Sequence, residues 1–140
     1  MLAQVTPEIT KELISDSLRL KALPYFFRQG MMLVEPTVFD LMGKHCKTYS
    51  GAYWDFYKLS NGGFFMAPSG QETYALSNAD NYADVELSAE ATGIAIALLA
   101  YSRLSFTSSS ASHTFSSQYH WVREFARNHP ESTQIFRFTD

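Results

Sequence analysis

The chain has 140 residues, of which 46% are hydrophobic and 15% aromatic, and a net charge of −3 from 11 basic and 14 acidic side chains. This composition is typical of one folded globular domain and excludes a disordered chain, while the charge argues against a basic nucleic-acid-binding protein. One cysteine excludes an internal disulfide and a cysteine-based zinc site. With no secretory signal and no apolar run long enough for a bilayer, we expect a cytoplasmic protein without membrane contact.

The first third of the chain predicts two helices after a loose lead-in over residues 1–11. Apolar residues at roughly helical spacing predict a first helix from Glu12 to Arg19, and Pro24 should end or kink it. Pro36 suits the first turn of a second helix, which we expect to run to Thr48.

The segment from about residue 52 to residue 87 predicts a small antiparallel β-sheet of three to four strands. Its aromatic residues favour strands, and its turns are rich in Asn, Gly and Ser. The turn Ser60–Gly63 contains Asn and Gly, which tolerate the positive φ of tight hairpins. The strand candidates are Tyr53–Leu59, Phe64–Ala67, Thr73–Leu76 and Tyr82–Leu87.

The last third of the chain predicts further helices. Ser88 is a good N-cap for a helix that should run to about Arg103. Five serines predict a flexible loop over residues 105–112. A last long helix is expected over Ser116–Asn128, followed by a short C-terminal turn of helix. Together the elements predict an α+β fold in a single domain, residues 1–140, with several α-helices packed on the sheet.

The charge is unevenly distributed along the chain. Residues 59–102 contain no Lys or Arg, and five acidic residues make this range locally −5. The flanking ranges 1–58 (seven basic, six acidic) and 103–140 (four basic, three acidic) are each +1. One acidic surface is therefore expected from the middle of the chain. The five acidic residues are Glu72, Asp80, Asp84, Glu86 and Glu90.

Histidine and cysteine offer two weak indications of chemistry. His113 and His120 are seven residues apart, and His120 with Glu124 could hold a metal on one helix face. A solvated helix flank is favoured, because no third or fourth ligand is evident. His45 and Cys46 are adjacent, but neighbouring helix positions point about 100° apart, so a core cysteine is favoured over an activated nucleophile.

The carboxylates of the middle range could form a divalent-metal cluster, as in a small metal-dependent nuclease or hydrolase. A solvated acidic edge is favoured, because no nuclease pattern accompanies them. A single-strand nucleic-acid binder that stacks bases on the hairpin aromatics is a further alternative. It lacks a basic groove, since Lys58 is the only cation between Tyr49 and Ser102. No catalytic residue, metal ligand or cofactor is assigned.

The predicted Tyr53–Phe65 hairpin would be aromatic on both faces. Alternation places Tyr53, Asp55 and Tyr57 on one face and Trp54 and Phe56 on the other. Core packing is the default explanation, and an exposed aromatic patch beside an acidic surface would instead be a protein-docking site.

Three stretches of the chain resemble the ArdB/KlcA antirestriction proteins. They are Gly51–Pro68 (GAYWDFYKLSNGGFFMAP), Leu87–Ile94 and Phe125–Glu131, and the similarity extends from about Leu23 to Phe136. The resemblance implies a cofactor-free, mixed α/β protein that relieves restriction by type I restriction–modification enzymes, to the benefit of plasmids or other mobile elements.

The charge of the chain bears on how such a protein would act. Duplex DNA carries about one charge per 1.7 Å, so imitating ~20 Å of it would need on the order of ten carboxylates. We therefore expect protein contacts with a type I restriction–modification enzyme or an accessory host protein, with neither catalysis nor direct DNA binding. The candidate interaction surface comprises Trp54, Asp55, Asn61, Gly62, Gly63, Glu72, Asp80, Asp84 and Glu86.

Overall fold

The computed structural model describes residues 7–107 and 110–140 of the chain. Within these residues the strands are β1 (Lys11–Leu13), β2 (Tyr53–Leu59), β3 (Phe64–Ser69), β4 (Thr73–Asn78) and β5 (Ala83–Ser88). The helices are α1 (Arg19–Phe27), α2 (Met31–His45), α3 (Ala89–Thr107), α4 (Ser112–Arg127) and α5 (Ser132–Thr139). Short 3-10 turns over Asp16–Leu18 and Arg28–Gly30 flank α1. The predicted α+β class is confirmed.

The strands form two antiparallel sheets. β1, β2 and β3 pair in that order, with Leu13 opposite Tyr57, whereas β4 and β5 form a separate hairpin. All four strands predicted between residues 52 and 87 are present. They divide between two sheets because the chain turns sharply at Gly70, whose φ of +123° is accessible to glycine. β1 supplies the third strand of the first sheet.

Helix α3 is the centre of the core. Every residue from Ala91 to Leu98 is buried, and the helix contacts α2, α4, α5 and β3. Its small residues let it approach β3 closely, since a Cβ on Gly93 would lie 2.5 Å from the backbone oxygen of Met66. The buried hydroxyl of Tyr101 donates a hydrogen bond of 2.6 Å to the Phe64 carbonyl. The helix is thereby fixed to the sheet by both packing and a polar contact.

The start of the chain differs from the sequence prediction. Residues 1–6 of the expected lead-in lie outside the described residues, and Lys11 already belongs to β1. The first helix therefore begins at Arg19 and not at Glu12. The apolar spacing near Leu13 was misleading, because this segment pairs with β2, and pairing with a distant strand overrides weak local helical periodicity.

Two prolines lie inside helices where the sequence predicted helix boundaries. Pro24 is the sixth residue of α1 and Pro36 the sixth of α2. A proline at this depth leaves the carbonyl four residues earlier without its helical donor. Those carbonyls belong to Leu20 and Met32, which lie on the exposed sides of their helices, so water can supply the missing hydrogen bond.

The predicted serine-rich loop over residues 105–112 is shorter than expected. α3 continues through Thr107 and α4 begins at Ser112, while residues 108 and 109 lie outside the described residues. The side-chain hydroxyls of Ser105 and Thr107 donate to carbonyls one turn earlier, which accommodates them in the helix. The C-terminal turn of helix is the eight-residue α5. No helix in the described part of the chain is long and apolar enough to cross a membrane.

Candidate functional site

The β4–β5 hairpin carries an acidic exposed face. Along β5, Val85 and its alternate neighbours are buried, whereas Asp84 and Glu86 point outward. Their cross-strand partners on β4 are Ser77 and Ala75, which are small. Small neighbours leave both carboxylates accessible to a macromolecule.

Two further exposed carboxylates lie at the two ends of this hairpin. Glu72 is exposed just before β4, and Asp80 is exposed in the turn that joins the two strands. None of Glu72, Asp80, Asp84 and Glu86 has an ion-pair partner among the residues that the structure describes. These four residues are called the acidic hairpin face below.

Helix α5 holds the hairpin turn in place. The side-chain amides of Asn78 and Asn81 each donate 2.9 Å hydrogen bonds to the Phe138 carbonyl in the last turn of α5. Their side-chain oxygens accept the backbone N–H groups of Asp80 and Ala83. The turn is thus bonded both to itself and to a helix end, and its carboxylates are presented by a preorganised backbone.

Glu90, the fifth acidic residue of the middle range, has a different environment. Its carboxylate pairs with Lys11 and accepts a 2.7 Å hydrogen bond from His129 Nε2. The pKa of Glu90 is lowered, first by the hydrogen bond from His129 and then by Lys11, against an opposing effect of burial. Because its charge is already compensated, Glu90 does not belong to the acidic hairpin face.

The same region joins two of the stretches that carry the family resemblance. The Glu131 carboxylate accepts hydrogen bonds from the backbone N–H and hydroxyl of Ser88. Ser88 Oγ accepts the Ala91 N–H, as predicted for an N-cap. His129 Nδ1 accepts the Glu131 N–H, so Nε2 carries the proton donated to Glu90. The Ser88 hydroxyl thus donates to the Glu131 carboxylate and not to the His129 imidazole. This contact connects the start of α3 to the segment that follows α4, so it is suited to holding the two helices together.

Trp54 is corrected as a surface candidate. It is 3% exposed, its Nε1 donates to the Tyr49 hydroxyl at 3.1 Å, and its ring packs against Phe39. It therefore cannot contact a partner directly. On the opposite face of β2, Asp55 is half-buried and Tyr57 stacks on Phe65. The aromatic hairpin is mainly core, the default explanation of its pattern.

The turn between β2 and β3 packs on α4. Asn61 donates to the Trp121 carbonyl at 2.9 Å and accepts the N–H of the buried Gly63. Gly62 has a φ of +101°, and a Cβ there would lie 3.5 Å from the Trp121 ring. Gln118 donates to the Gly62 carbonyl at 3.1 Å. The Asn-Gly-Gly sequence is thus explained by turn geometry and close packing.

The predicted surface residues do not all come together. The turn Asn61–Gly63 precedes β3 and Glu72 follows it, and the six residues of β3 extend the chain by about 20 Å between them. The turn instead borders a groove of about 820 Å³ between the N-terminal segment and α4. Sequence reasoning missed this groove, because its walls come from β1, α1, β2 and α4.

The histidine and cysteine candidates have separate environments. His45 Nδ1 lies 2.9 Å from the Ser77 carbonyl oxygen, whereas the nearest polar partner of the buried Cys46 is Thr48. His113 and His120 are exposed on α4. Within residues 7–107 and 110–140, no three His, Cys, Asp or Glu side chains converge as metal ligands would.

Comparisons with known proteins agree on one family. The family model described as "Antirestriction protein" matches residues 47–140. The Escherichia coli (strain K12) protein YafX is 39% identical over 95% of this chain and 89% of its own length. The Escherichia coli antirestriction protein KlcA is 37% identical over 94% of this chain and 95% of its own length.

A solved structure extends this agreement to the fold. It matches with a TM-score of 0.87 and 36% identity over 100% of both chains. That structure belongs to work on the KlcA and ArdB proteins, which are described as having a novel fold and antirestriction activity against Type I DNA restriction systems in vivo but not in vitro.

Proposed function

The chain belongs to the KlcA/ArdB family of antirestriction proteins, and from this premise we propose that it relieves type I restriction of incoming DNA through protein contacts. Its acidic hairpin face is the contact surface, and neither catalysis nor imitation of DNA is involved. The observation that carries this proposal is the set of four uncompensated carboxylates on a hairpin fixed to α5.

The number of carboxylates argues against imitation of DNA. Each strand of the hairpin has six residues and is therefore about 20 Å long. A duplex of that length carries about twelve phosphate charges, at one per 1.7 Å of axis. The hairpin offers four carboxylates over the same length. A surface with a third of the charge is suited to a basic patch on a protein and not to a site that binds the duplex by its phosphates.

The target is a basic surface on the restriction enzyme or on an accessory host protein. The activity described for KlcA and ArdB in vivo but not in vitro favours a cellular component that purified assays lack. Electrostatic complementarity would increase the rate at which the acidic hairpin face finds such a target. The fixed turn would lower the ordering cost of binding.

Charge reversal at Asp80, Asp84 and Glu86 tests the proposal. The triple lysine variant should lose antirestriction, measured as the plating efficiency of unmodified phage on a type I-restricting strain that expresses the protein. Its melting temperature should stay within about 2 °C of the wild-type value, because the three side chains are exposed and lack ion pairs in the described structure. Full activity of this folded variant would refute the assignment of the surface.

A matched triple variant controls for net charge. Lysine at Glu8, Glu35 and Glu124 changes the net charge equally but leaves the acidic hairpin face intact, and should retain activity. Crosslinking in the restricting strain then distinguishes the targets. A subunit of the restriction enzyme, or one host protein, should be captured by the wild type and by the control triple, and lost with the hairpin triple.

A further inference from the structure

A second surface, of opposite character, lies between the N-terminal segment and α4. The groove introduced above is called the α1–α4 groove. Its lining includes apolar side chains that remain largely accessible: Leu13 is 56% exposed, Leu18 49% and Tyr25 76%. The Trp121 ring closes the opposite wall. Large apolar side chains that are concentrated in one concave site, and not scattered, mark a binding surface.

The charges around the α1–α4 groove are mostly positive. Lys21, Arg28 and Lys58 line it, together with His113, and Glu12, the one carboxylate among the described lining residues, lies 3.4 Å from Lys58. Lys21 and Arg28 have no ion-pair partner within the described part of the chain. An occupant that brings carboxylates would therefore find two uncompensated cations beside an apolar floor.

The wall of the groove is rigid. Trp121 and Gln118 belong to α4, and both are hydrogen-bonded to the turn between β2 and β3 through Asn61 and Gly62. Helix α4 borders the groove from His113 to Trp121, a length of about 12 Å, which corresponds to roughly two turns of a bound helix. The groove is preformed, so little ordering energy is lost on binding.

We propose that the α1–α4 groove binds an acidic amphipathic helical segment of a partner protein. Leucine and aromatic side chains of that segment enter the groove beside Leu13, Leu18 and Trp121, and its carboxylates pair with Lys21 and Arg28. Helix-in-groove recognition uses this combination of apolar anchors and flanking charge. The lining is mixed: Leu13 and Leu18 are aliphatic, whereas the rings of Tyr25 and Trp121 could also stack bases. The aliphatic anchors favour a protein segment over single-stranded nucleic acid, and a titration with oligothymidine separates the two. The groove and the acidic hairpin face would take partners of opposite charge.

Selection from a phage-displayed random-peptide library on the purified full chain tests the groove. Selected clones are counter-selected against the Lys21→Glu/Arg28→Glu variant, and the enriched peptides are then synthesised with a fluorescent label. We expect acidic peptides with apolar residues at helical spacing, bound about tenfold more weakly by the Lys21→Glu/Arg28→Glu variant in anisotropy titrations. Leu18→Ala should weaken binding, and added salt should weaken it as well.

Two controls make each outcome decisive. Lys44→Glu/Lys47→Glu alters net charge equally, but both lysines lie outside the groove, so this variant should bind the peptides as the wild type does. A labelled oligothymidine is titrated in parallel. The proposal is overturned if no groove-dependent peptide is enriched, if the enriched peptides are basic, or if only the oligothymidine binds in a Lys21- and Arg28-dependent manner.

Discussion

Replacement of Gly93 by alanine tests the contact on which the core is built. Gly93 lies where α3 meets β3, and an added Cβ would lie 2.5 Å from the Met66 oxygen and 2.7 Å from the Ala67 Cα. Both contacts are to backbone atoms, so no side-chain rotation can relieve them. To restore an ordinary carbon–oxygen contact of about 3.3 Å, α3 would have to move away from β3 by about 0.8 Å.

The change in the free energy of unfolding for Gly93→Ala is the difference between a packing cost and a gain in helix propensity. A separation of this size forfeits roughly a quarter to a half of the dispersion energy of the affected contacts. Overpacking of cores costs roughly 1–3 kcal/mol, and backbone contacts on both sides place Gly93→Ala near 3 kcal/mol. Alanine gains about 1 kcal/mol over glycine inside a helix. The net destabilisation is therefore about 2 kcal/mol, which corresponds to a fall in melting temperature of about 7 °C.

The same substitution at Gly43 is the control, because it should have the opposite sign. Gly43 is exposed within α2, and an added Cβ would meet nothing within 4 Å. Gly43→Ala should raise the melting temperature by about 3 °C through helix propensity alone. Thermal unfolding followed by circular dichroism measures both variants. An increase in melting temperature for Gly93→Ala as well would show that α3 and β3 are not in backbone contact.

Two further predictions concern polar contacts in the core. Glu90→Gln should be less stable than the wild type near neutral pH but equally stable in acid. The stabilisation linked to the lowered pKa of Glu90 is complete above the ordinary pKa of glutamate, and it is lost as the pH falls through the lowered pKa. Urea unfolding across the acidic range measures this, and parallel stability curves would contradict the role of the contact with His129. Gln118→Ala should cost about 2–3 kcal/mol, because it leaves the buried N–H of Phe64 without its 2.8 Å acceptor. Gln118→Met keeps the volume and should cost nearly as much in the same assay, whereas wild-type stability would indicate that the hydrogen bond contributes little.

Short sequence patterns correctly predicted the helices and strands that are determined by neighbouring residues in the chain. The aromatic runs and the Asn-Gly-Gly turn gave the β2–β3 hairpin, and Ser88 gave the start of α3. β1 could not be predicted in the same way. Its three residues, Lys11–Leu13, are all exposed and show no alternation, and they become a strand because β2, more than forty residues later, offers a free edge. Pairing of this kind is a tertiary property.

The two candidate surfaces differ in how far the sequence predicts them. The acidic hairpin face results from alternation along one strand and from the absence of cations over residues 59–102, both of which are visible locally. The α1–α4 groove combines Leu13 and Lys21 with Trp121, which is about a hundred residues later in the chain. Neither the spacing nor the composition of these residues indicates proximity, and only the packing of α4 beside the N-terminal segment brings them together.

The residues that identify the family are largely those that hold the fold together. Trp54 is buried, Asn61 fixes a turn on α4, and Ser88 and His129 join α3 to the end of α4 through Glu131 and Glu90. A substitution at any of them should destabilise the fold, so a loss of the proposed activity in such a variant would say nothing about the target. The acidic hairpin face and the cations Lys21 and Arg28 of the α1–α4 groove are exposed and have no ion-pair partner among the described residues. Loss of activity without loss of stability can therefore be sought at these surfaces, and paired measurement of melting temperature and plating efficiency separates the two causes.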